Sequence, residues 1–447
     1  MSIKSFSLEV NRKINSFDKT IVIDSDKSIS IRSFLISSIC NNISNVSNVL
    51  ESEDVFSAIN CLRKLGVKII KIKSKQYKIY GKGLGSLRVE KNINLNFGNS
   101  GTLARLLIGI LTTTPGIKVN IRGDKSLNKR NMSKLFTLMG NFGAKFYPDN
   151  KINFPIRLNS SNMPVGINYQ SGVSAQLKSA VILAGLNAYG YTNILEKKLS
   201  RNHTENILKQ KKKILKIKKN LIKVSGKEEI SSLNITVPGD PSSAAFIVAL
   251  TLLNKNSYIN IKKVGLNSRR IGFYKLMKKF GAKIKFKNIK KMNNEPVGDI
   301  IVQSSKLKPI KASANFYASS TDEYPIMFVI AALTKGVSIF RGIEDLVNKE
   351  SNRIEEMKKI LKQIGIKCVS KKNEIKIYGS DKKDYTNKII KVPNLGDHRI
   401  CMSTVVLSLI TGAKSNINHF ETVKTSSPSF LNIIKSLGAN YEIKKKS

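Results

Sequence analysis

The chain has 447 residues, 41% of them hydrophobic, so it is too long for one ordinary core and we expect about two or three domains. Lysine and arginine number 77 against 30 aspartates and glutamates, which gives a formal net charge of +47. The sequence has no run of about 18 apolar residues, which argues against a membrane-spanning helix, and its first residues lack the apolar stretch of a secretory signal.

A pattern that predicts a buried helix recurs six times along the chain. Each copy is a short polar segment followed by apolar and small residues: DKSISIRSFLISSI (26–39), GNSGTLARLLIGIL (98–111), SGVSAQLKSAVILAGL (171–186), GDPSSAAFIVALTLL (239–253), TDEYPIMFVIAAL (321–333) and GDHRICMSTVVLSLI (396–410). Polar residues of these types are common at helix starts, and a helix that is apolar on most sides is usually buried. We therefore predict six buried helices.

A second pattern, an amphipathic helix followed by glycine and a short strand, lies about 40 residues downstream of the first. Its five clear copies are LRKLGVKII (62–70), TLMGNFGAKF (137–146), LMKKFGAKI (276–284), LKQIGIKCV (361–369) and IKSLGANYEI (434–443). Glycine just past a helix end adopts the left-handed conformation at little steric cost. A degenerate sixth copy, ENILKQKKKILKI (205–217), has Lys212 where the glycine would fall.

The two patterns recur in step, which predicts six α/β units of roughly 70–80 residues, arranged as two domains of three. An ordinary α/β protein with recurrent turn chemistry is the alternative. Helix starts carry unpaired N–H groups and a partial positive charge, so they suit phosphate and carboxylate. Many unusual polar residues lie at the predicted starts: Lys27, Ser28, Arg32, Asn99, Gly101, Thr102, Arg105, Ser174, Gln176, Asp322, Asp397, His398 and Arg399. This set predicts a site for a substrate with several negative charges.

Other common motifs are weak. GKGLGS (81–86) is followed by strand-like residues and is interpreted as a turn. The histidines are far apart and the four cysteines form no CxxC pair, so we expect no metal site and interpret the cysteines as reduced thiols of a cytoplasmic protein. Lysines occur in almost every segment, which favours a compositionally biased, solvated surface; attraction of anionic substrates and nucleic-acid binding are the alternatives.

Seven segments together resemble the 5-enolpyruvylshikimate-3-phosphate (EPSP) synthase family, in the order in which the family has them. They are DKSISIR (26–32), FGNSGTLARLL (97–107), SLNKR (126–130), SAQLKSA (174–180), TDEYP (321–325), KESNR (349–353) and DHRI (397–400). The resemblance implies a two-domain α/β enolpyruvyl-transferase fold in which each domain has three βαβαββ-type units, an inside-out α/β barrel. It places residues 1–22 and 237–447 in the first domain and residues 23–236 in the second.

The resemblance also implies the activity, which is transfer of the enolpyruvyl group of phosphoenolpyruvate to the 5-hydroxyl of shikimate 3-phosphate, with release of phosphate. This is a transferase of chorismate and aromatic amino-acid biosynthesis that needs no cofactor. The expected partners are the two anionic substrates, without nucleic acid or membrane, and the expected state is a cytoplasmic monomer.

Site residues are implied by the same motifs. For shikimate 3-phosphate they are Lys27, Ser28, Arg32, Ser174, Ala175, Gln176, Arg201, Asp322 and Lys349. For phosphoenolpyruvate they are Lys27, Gly101, Arg130, Gln176, Arg353, Arg399 and Lys424. Asp322, Glu350 and Lys27 are the catalytic candidates, since both steps of the reaction move protons. The structural alternatives are a helix N-cap for Asp322 and surface ion pairs for the arginines.

Some positions depart from the family pattern. Asn131 and Asn352 replace a common proline and aspartate, so we expect a less rigid loop after Arg130 and a looser orientation of Arg353. Segments such as RNHTE (201–205) are similar to a bacterial subgroup with glyphosate-tolerant members, which carry alanine where this chain has Gly101. We therefore hypothesise that this enzyme is glyphosate-sensitive.

Two other functions compete with this interpretation. The sister enzyme that transfers enolpyruvyl to UDP-N-acetylglucosamine shares the six-unit fold, but it usually has Lys-Asn where this chain has Lys27-Ser28, and a loop cysteine that no cysteine here matches. A basic nucleic-acid-binding protein is suggested by charge alone, although the chain has no tryptophan and only 7% aromatic residues.

Overall fold

The computed structural model describes residues 5–89, 93–209, 213–382 and 384–445, so Lys212 lies outside the described residues. Residues 5–89 form β1 (Phe6–Val10), β2 (Asp18–Val22), α1 (Lys27–Ser38), β3 (Ile43–Ser47), α2 (Glu53–Lys64), β4 (Lys68–Lys73) and β5 (Gln76–Tyr80). Residues 93–209 form β6 (Asn94–Asn96), α3 (Gly101–Thr112), β7 (Lys118–Arg122), α4 (Ser133–Gly140), β8 (Lys145–Tyr147), β9 (Ile156–Asn159), β10 (Asn168–Ser171), α5 (Ala175–Gly185), β11 (Tyr191–Glu196) and α6 (His203–Leu208).

The remaining described segments continue the same alternation of helices and strands. Residues 213–382 form β12 (Leu215–Lys218), β13 (Leu221–Ser225), β14 (Asn234–Thr236), α7 (Pro241–Leu253), β15 (Tyr258–Gly265), α8 (Gly272–Lys279), β16 (Lys283–Met292), β17 (Glu295–Gln303), β18 (Lys311–Ala312), α9 (Tyr317–Ser320), α10 (Tyr324–Ala332), β19 (Gly336–Arg341), α11 (Arg353–Gln363), β20 (Lys367–Lys371) and β21 (Glu374–Gly379). Residues 384–445 form β22 (Ile389–Val392), α12 (His398–Thr411), β23 (Lys414–Ile417), α13 (Phe430–Ser436) and β24 (Tyr441–Lys445).

Six four-stranded sheets repeat one topology, in which a parallel pair of strands is extended by an antiparallel pair. Three sheets use strands from one continuous stretch of chain: β6-β7-β9-β8, β10-β11-β13-β12 and β18-β19-β21-β20. In each of the other three, one strand comes from far along the chain: β14 joins β3, β2 joins β15, and β1 joins β23 and β24. Because a parallel pair needs a crossover helix, this repeat is the predicted βαβαββ unit, and the predicted α/β fold of repeated units is confirmed.

The chain divides into two compact units, each with its own hydrophobic core. Unit 1 comprises the residues up to Asp24, Gly239–Lys290 and the residues from Pro296 onward. Unit 2 comprises Ser25–Pro238 and the short segment Lys291–Glu295. That segment includes the turn between β16 and β17, and it is held within unit 2 by a hydrogen bond from Asn206 Nδ2 to Glu295 Oε1 of 3.0 Å.

The six predicted buried helices are confirmed. In unit 2, α3 packs against α1 and α5, and in unit 1, α12 packs against α7 and α10. Every residue of α7, α10 and α12 is buried. Gly109 explains how close α3 lies to α5, because an added Cβ would come within 2.6 Å of the Ala180 carbonyl oxygen.

The second repeated pattern is also confirmed where the structure describes it. Its glycines share a left-handed backbone just past a helix, with φ values of 82°, 92°, 98°, 79° and 96° at Gly66, Gly143, Gly281, Gly365 and Gly438. Residues with a Cβ rarely adopt this conformation, which accounts for glycine at these turns. None of the helices in the described part of the chain is long and apolar enough to cross a membrane.

Candidate active site

Three helix starts in unit 2 carry most of the residues predicted to bind shikimate 3-phosphate. Asp26, Ser100 and Ser174 are the N-caps of α1, α3 and α5, and each accepts a hydrogen bond from a backbone N–H three residues later. This capping places Lys27, Gly101 and Ala175 as the first residues of their helices. Lys27 Nζ lies 3.0 Å from Asp54 Oδ2, so this lysine also has an ion-pair partner.

The starts of α3 and α5 are joined by side-chain hydrogen bonds. Arg105 Nη1 donates to Gln176 Oε1 at 2.8 Å, and Gln176 Nε2 donates to Thr102 Oγ1 at 3.0 Å. Arg105 therefore orients Gln176, which the sequence motifs place at both substrates. The sequence placed Arg105 at a helix start but did not include it among the site residues.

Arg130 and Arg105 approach the same point beside Gly101. A Cβ added to Gly101 would lie 2.8 Å from Arg105 Nη1 and 2.9 Å from Arg130 Nη1. Arg130 is oriented by a hydrogen bond from Nη2 to Asn99 Oδ1. The missing side chain at position 101 thus leaves room for two guanidinium groups, which is an arrangement suited to an anion.

Arg32 is almost fully buried and bonded within unit 2. Its Nε donates to Thr204 Oγ1 at 2.9 Å, its Nη1 to the Ser28 carbonyl oxygen at 3.0 Å and its Nη2 to Ser179 Oγ at 3.2 Å. Burial, together with the nearby charge of Arg201, lowers the pKa of Arg32 to about 10 against the opposing effect of acidic neighbours, of which Asp26 is the largest. The structure therefore gives Arg32 an internal bonding role that the sequence did not predict, close to a second cation.

Lys178 forms a buried ionic cluster that the sequence patterns did not predict. Its Nζ lies 2.6 Å from both Glu196 Oε1 and Glu205 Oε1, and all three side chains are at most 2% exposed. The cluster ties α5 to the segment from Glu196 to Glu205, which contains Arg201. A lysine in the middle of an apolar helix is the signal that could have revealed it, since a buried lysine needs an acidic partner.

In unit 1, Asp322, Glu350, Arg353 and Arg399 come together. Arg353 donates to Asp397 Oδ2 from Nε at 2.9 Å and to Glu350 Oε2 from Nη2 at 2.6 Å. Asp322 Oδ1 lies 3.6 Å from Arg399 Nε and 3.9 Å from Arg353 Nη1. The two candidate carboxylates therefore both face Arg353, and Asp322 also faces Arg399. The motifs assign both arginines to phosphoenolpyruvate.

Asp322 is not a helix N-cap, so the structural alternative considered for it is wrong. It lies in the turn between α9 and α10, and α10 begins two residues later with Glu323 as its N-cap. The predicted fifth buried helix thus starts later than the sequence suggested. Asp322 keeps 22% of its side chain exposed, which leaves its carboxylate accessible.

Burial and neighbouring charges act in opposite directions on the pKa of Arg353 and lower that of Lys349. Burial opposes the charge of Arg353, but Asp397 and Glu350 outweigh it and raise the pKa of Arg353. Burial, together with the charge of Arg353, lowers the pKa of Lys349. Among the described residues, Nη1 of Arg353 has no hydrogen-bond partner, so this nitrogen retains donor capacity.

The effect expected from Asn352 is not seen, because Arg353 is 1% exposed and held by two carboxylates. Asn352 is instead the N-cap of α11, where its Oδ1 accepts from Glu355 N at 3.2 Å. Lys424 lies in the 3-10 helix Phe420–Thr425 with its Nζ 5.6 Å from the centre of the Phe6 ring, and its role stays a prediction. Within the described ranges, no cluster of three or more His, Cys, Asp or Glu could hold a metal ion.

Solved structures share this architecture. The EPSP synthase from Acinetobacter baumannii superposes with a TM-score of 0.85 at 31% identity, covering 98% of this chain and 100% of that one. The enolpyruvyl transferase NikO from Streptomyces tendae gives a TM-score of 0.77 over 100% of both chains; at 12% identity it shows likeness of fold alone. The six-unit fold is therefore that of the enolpyruvyl transferases.

The family model described as EPSP synthase (3-phosphoshikimate 1-carboxyvinyltransferase) matches residues 11–434. A 3-phosphoshikimate 1-carboxyvinyltransferase from Zymomonas mobilis is 36% identical over 441 residues, 97% of each chain, and one from Bacillus cytotoxicus is 36% identical over 428 residues, 95% of this chain and 99% of that one. The chain belongs to the EPSP synthase family. It is a transferase of the shikimate pathway of aromatic amino-acid biosynthesis, and it moves the enolpyruvyl group of phosphoenolpyruvate to shikimate 3-phosphate. The nucleotide-sugar and nucleic-acid alternatives are not favoured.

Proposed function

We propose that the transfer proceeds by addition and elimination through a tetrahedral intermediate, with Asp322 as the base that faces the acceptor hydroxyl. In the addition, the 5-hydroxyl oxygen of shikimate 3-phosphate bonds to the enol carbon, its proton leaves, and the methylene carbon gains a proton. In the elimination, that carbon returns a proton and phosphate leaves. The observation that carries this proposal is the partly exposed Asp322 carboxylate beside Arg353 and Arg399.

The residues of unit 2 are proposed to bind the phosphorylated acceptor. The set consists of Lys27, Ser28, Arg32, Ser174, Ala175, Gln176 and Arg201. Its support is the concentration of helix starts and cations, above all the proximity of Arg201 to the buried Arg32, since two like charges at close range favour an anion as their partner. Because the donors of Arg32 already bond Thr204 and Ser179, we propose that Arg32 contributes mainly a fixed positive charge beside Arg201.

The proposed ligands of phosphoenolpyruvate are mainly arginines and lysines. The set consists of Lys27, Gly101, Arg130, Gln176, Arg353, Arg399 and Lys424. Support comes from the space beside Gly101, which two guanidinium groups face, and from the spare donor capacity of Arg353 Nη1. Arginine gives bidentate contacts to carboxylate and phosphate, which suits a ligand that carries both.

The protons are proposed to move through three side chains. Asp322 accepts the proton of the acceptor hydroxyl, while Glu350 and Lys27 serve the methylene carbon. Lys349, next to Glu350, contributes positive charge toward shikimate 3-phosphate. Asp322 meets the same substrate by accepting a hydrogen bond from its hydroxyl group. The cations that surround these groups stabilise the charge that develops in the intermediate, so the proposed mechanism uses no metal or organic cofactor.

The test is phosphate release from phosphoenolpyruvate by wild type and Asp322→Asn. We expect kcat to fall by about 10²–10⁴-fold in the variant, because an amide cannot accept the proton, while phosphoenolpyruvate still binds. Asp384→Asn, at an exposed carboxylate bonded to Thr386, is the control and should behave as wild type. Full activity of Asp322→Asn would refute the assignment. Offering UDP-N-acetylglucosamine as acceptor should give no release. A monomeric state, a cytoplasmic location and the lack of nucleic-acid binding stay predictions.

A further inference from the structure

Arg270 lies just before α8 in unit 1 and is surrounded by three carboxylates. Its Nη1 donates to Glu323 Oε1 at 3.1 Å, and its Nη2 donates to Asp240 Oδ1 at 3.3 Å. Its Nη1 also lies 3.6 Å from Asp322 Oδ2. The sequence patterns gave no reason to single out this arginine, because it falls in neither repeated motif.

Two of the three carboxylates fix the guanidinium from the buried side. Asp240 is the N-cap of α7, where its Oδ1 accepts from Ser242 N at 2.7 Å. Glu323 is the N-cap residue of α10 and accepts a hydrogen bond from Ser242 Oγ. Because both acids belong to helix starts of the core, Arg270 has little freedom to move.

The third carboxylate, Asp322, differs from the other two in exposure. Its side chain is 22% exposed, against 5% for Asp240 and 2% for Glu323. Its two oxygens also meet different partners. Oδ1 faces Arg353 and Arg399, which the proposed function assigns to phosphoenolpyruvate, whereas Oδ2 faces Arg270, which is 3% exposed.

We infer that Arg270 is the positioning residue of Asp322, which holds Oδ2 from the buried side and keeps the carboxylate ionised when the other two arginines engage substrate. This inference rests on the proposed role of Asp322. Nη1 and Nη2 of Arg270 already face Glu323, Asp240 and Asp322, so its contribution acts through Asp322 and not through contact with phosphoenolpyruvate. A fixed charge on Oδ2 leaves Oδ1 as the oxygen that accepts the proton.

Other charged groups around Asp322 would remain after Arg270 is removed. Arg353 and Arg399 come from α11 and α12, and Lys349 and Tyr317 interact electrostatically with Asp322 from the segments before α11 and α10. The nearby acids are Glu323 and Asp240, together with Glu350 and Asp397, which share Arg353. Loss of Arg270 removes one cation from this set, which favours the protonated carboxylate. The acid limb of the pH–rate profile should therefore move to higher pH.

The test compares four variants by pH–rate profile in the phosphate-release assay. Arg270→Gln removes the cation. The double variant Arg270→Gln with Glu323→Gln removes the cation together with one buried anion, so fewer buried charges are left unpaired and folding is disturbed less. Glu323→Gln alone is the reference for the double variant. Arg341→Gln, at an exposed arginine paired with Glu374, is the control for loss of one positive charge. Melting temperature and far-UV circular dichroism establish that each variant is folded.

We expect Arg270→Gln to lower kcat by about tenfold or more with KM values changed by less than about threefold, since only a positioning contact is lost. The acid limb of the pH–rate profile should move up by about one pH unit in Arg270→Gln relative to wild type. The double variant should show a shift of the same size relative to Glu323→Gln. A folded variant with a lower melting temperature and an unmoved acid limb would overturn the inference and leave Arg270 a structural residue. Asp322→Asn is measured in parallel. If this variant stays active, the proposed role of Asp322 is wrong. If it is inactive but the pH–rate profile of Arg270→Gln does not move, only the inference about Arg270 is wrong.

Discussion

At the scale of single residues, burial and charge decide which polar groups are available for chemistry. Asp322 keeps part of its carboxylate exposed, and Arg353, although fixed by Asp397 and Glu350, keeps Nη1 without a hydrogen bond among the described residues. In Arg32, by contrast, Nε, Nη1 and Nη2 all donate hydrogen bonds inside unit 2. We therefore expect arginines that look alike in sequence to divide into those that contact substrate and those that support another residue.

Gly101→Ala is predicted to weaken glyphosate inhibition and the binding of phosphoenolpyruvate. The new methyl group would lie within 3.0 Å of Arg105 and Arg130, so both guanidinium groups must shift. We expect the inhibition constant for glyphosate and the KM for phosphoenolpyruvate each to rise about tenfold, which corresponds to about 1.4 kcal/mol. Steady-state kinetics measure both. Gly140→Ala, which meets nothing within 4 Å, is the control, and unchanged inhibition in Gly101→Ala would refute the steric argument.

Lys178→Met is predicted to destabilise the protein strongly. The substitution leaves Glu196 and Glu205 buried without their shared cation, a change that costs about 3–5 kcal/mol in comparable buried pairs. Thermal unfolding measures the loss. Lys359→Met removes an exposed ion pair with Glu356 and should leave the melting temperature nearly unchanged. Equal melting temperatures for the two variants would mean that Glu196 and Glu205 do not need Lys178 in the folded state.

At the scale of secondary-structure elements, the molecule repeats one α/β unit. Five of the six buried helices begin at an N-cap residue whose side chain accepts a backbone hydrogen bond. In the described part of the chain, five amphipathic helices are followed by a left-handed glycine turn that leads into a strand. The caps and turns are local features, because each depends on residues within a few positions of the helix end. This is why the sequence predicted the order and approximate position of these elements well.

The left-handed turns allow a test of this local chemistry. At Gly438 the φ angle is 96° and an added Cβ would meet nothing within 4 Å, so only the backbone conformation opposes a side chain. Gly438→Ala should destabilise by about 1–2 kcal/mol, seen as a lower melting temperature. Gly140→Ala, inside α4 with no steric contact, should be neutral or slightly stabilising. If both variants melted at the same temperature, backbone strain would not be the reason for glycine at position 438.

At the scale of the whole molecule, the net charge of +47 is the dominant property. The two substrates are anions, and a positive field raises the rate at which anions arrive at a protein. Salt screens such steering, so kcat/KM should fall as the ionic strength rises. If the positive charge is a compositional bias without functional effect, kcat/KM should not depend on salt.

We therefore predict that kcat/KM for shikimate 3-phosphate falls by about tenfold as ionic strength rises from roughly 0.02 to 0.3 M, with kcat little changed. Initial rates of phosphate release in two different salts measure this, and the constant kcat serves as the internal control. A flat kcat/KM would assign the charge to composition alone.

The sequence by itself determined the repeated α/β unit, the six buried helices, the glycine turns and the residue types of the site, because these depend on periodicity and short-range conformational preferences. Tertiary structure alone decided which distant strand completes a sheet, as with β1 beside β23 and β24, and which buried charges meet. The pairing of Arg270 with Asp322, and of Lys178 with Glu196 and Glu205, joins residues that are distant in the sequence, so no local pattern predicts which partners meet. Their partners are selected by the folded core, where an unpaired charge is too costly to remain.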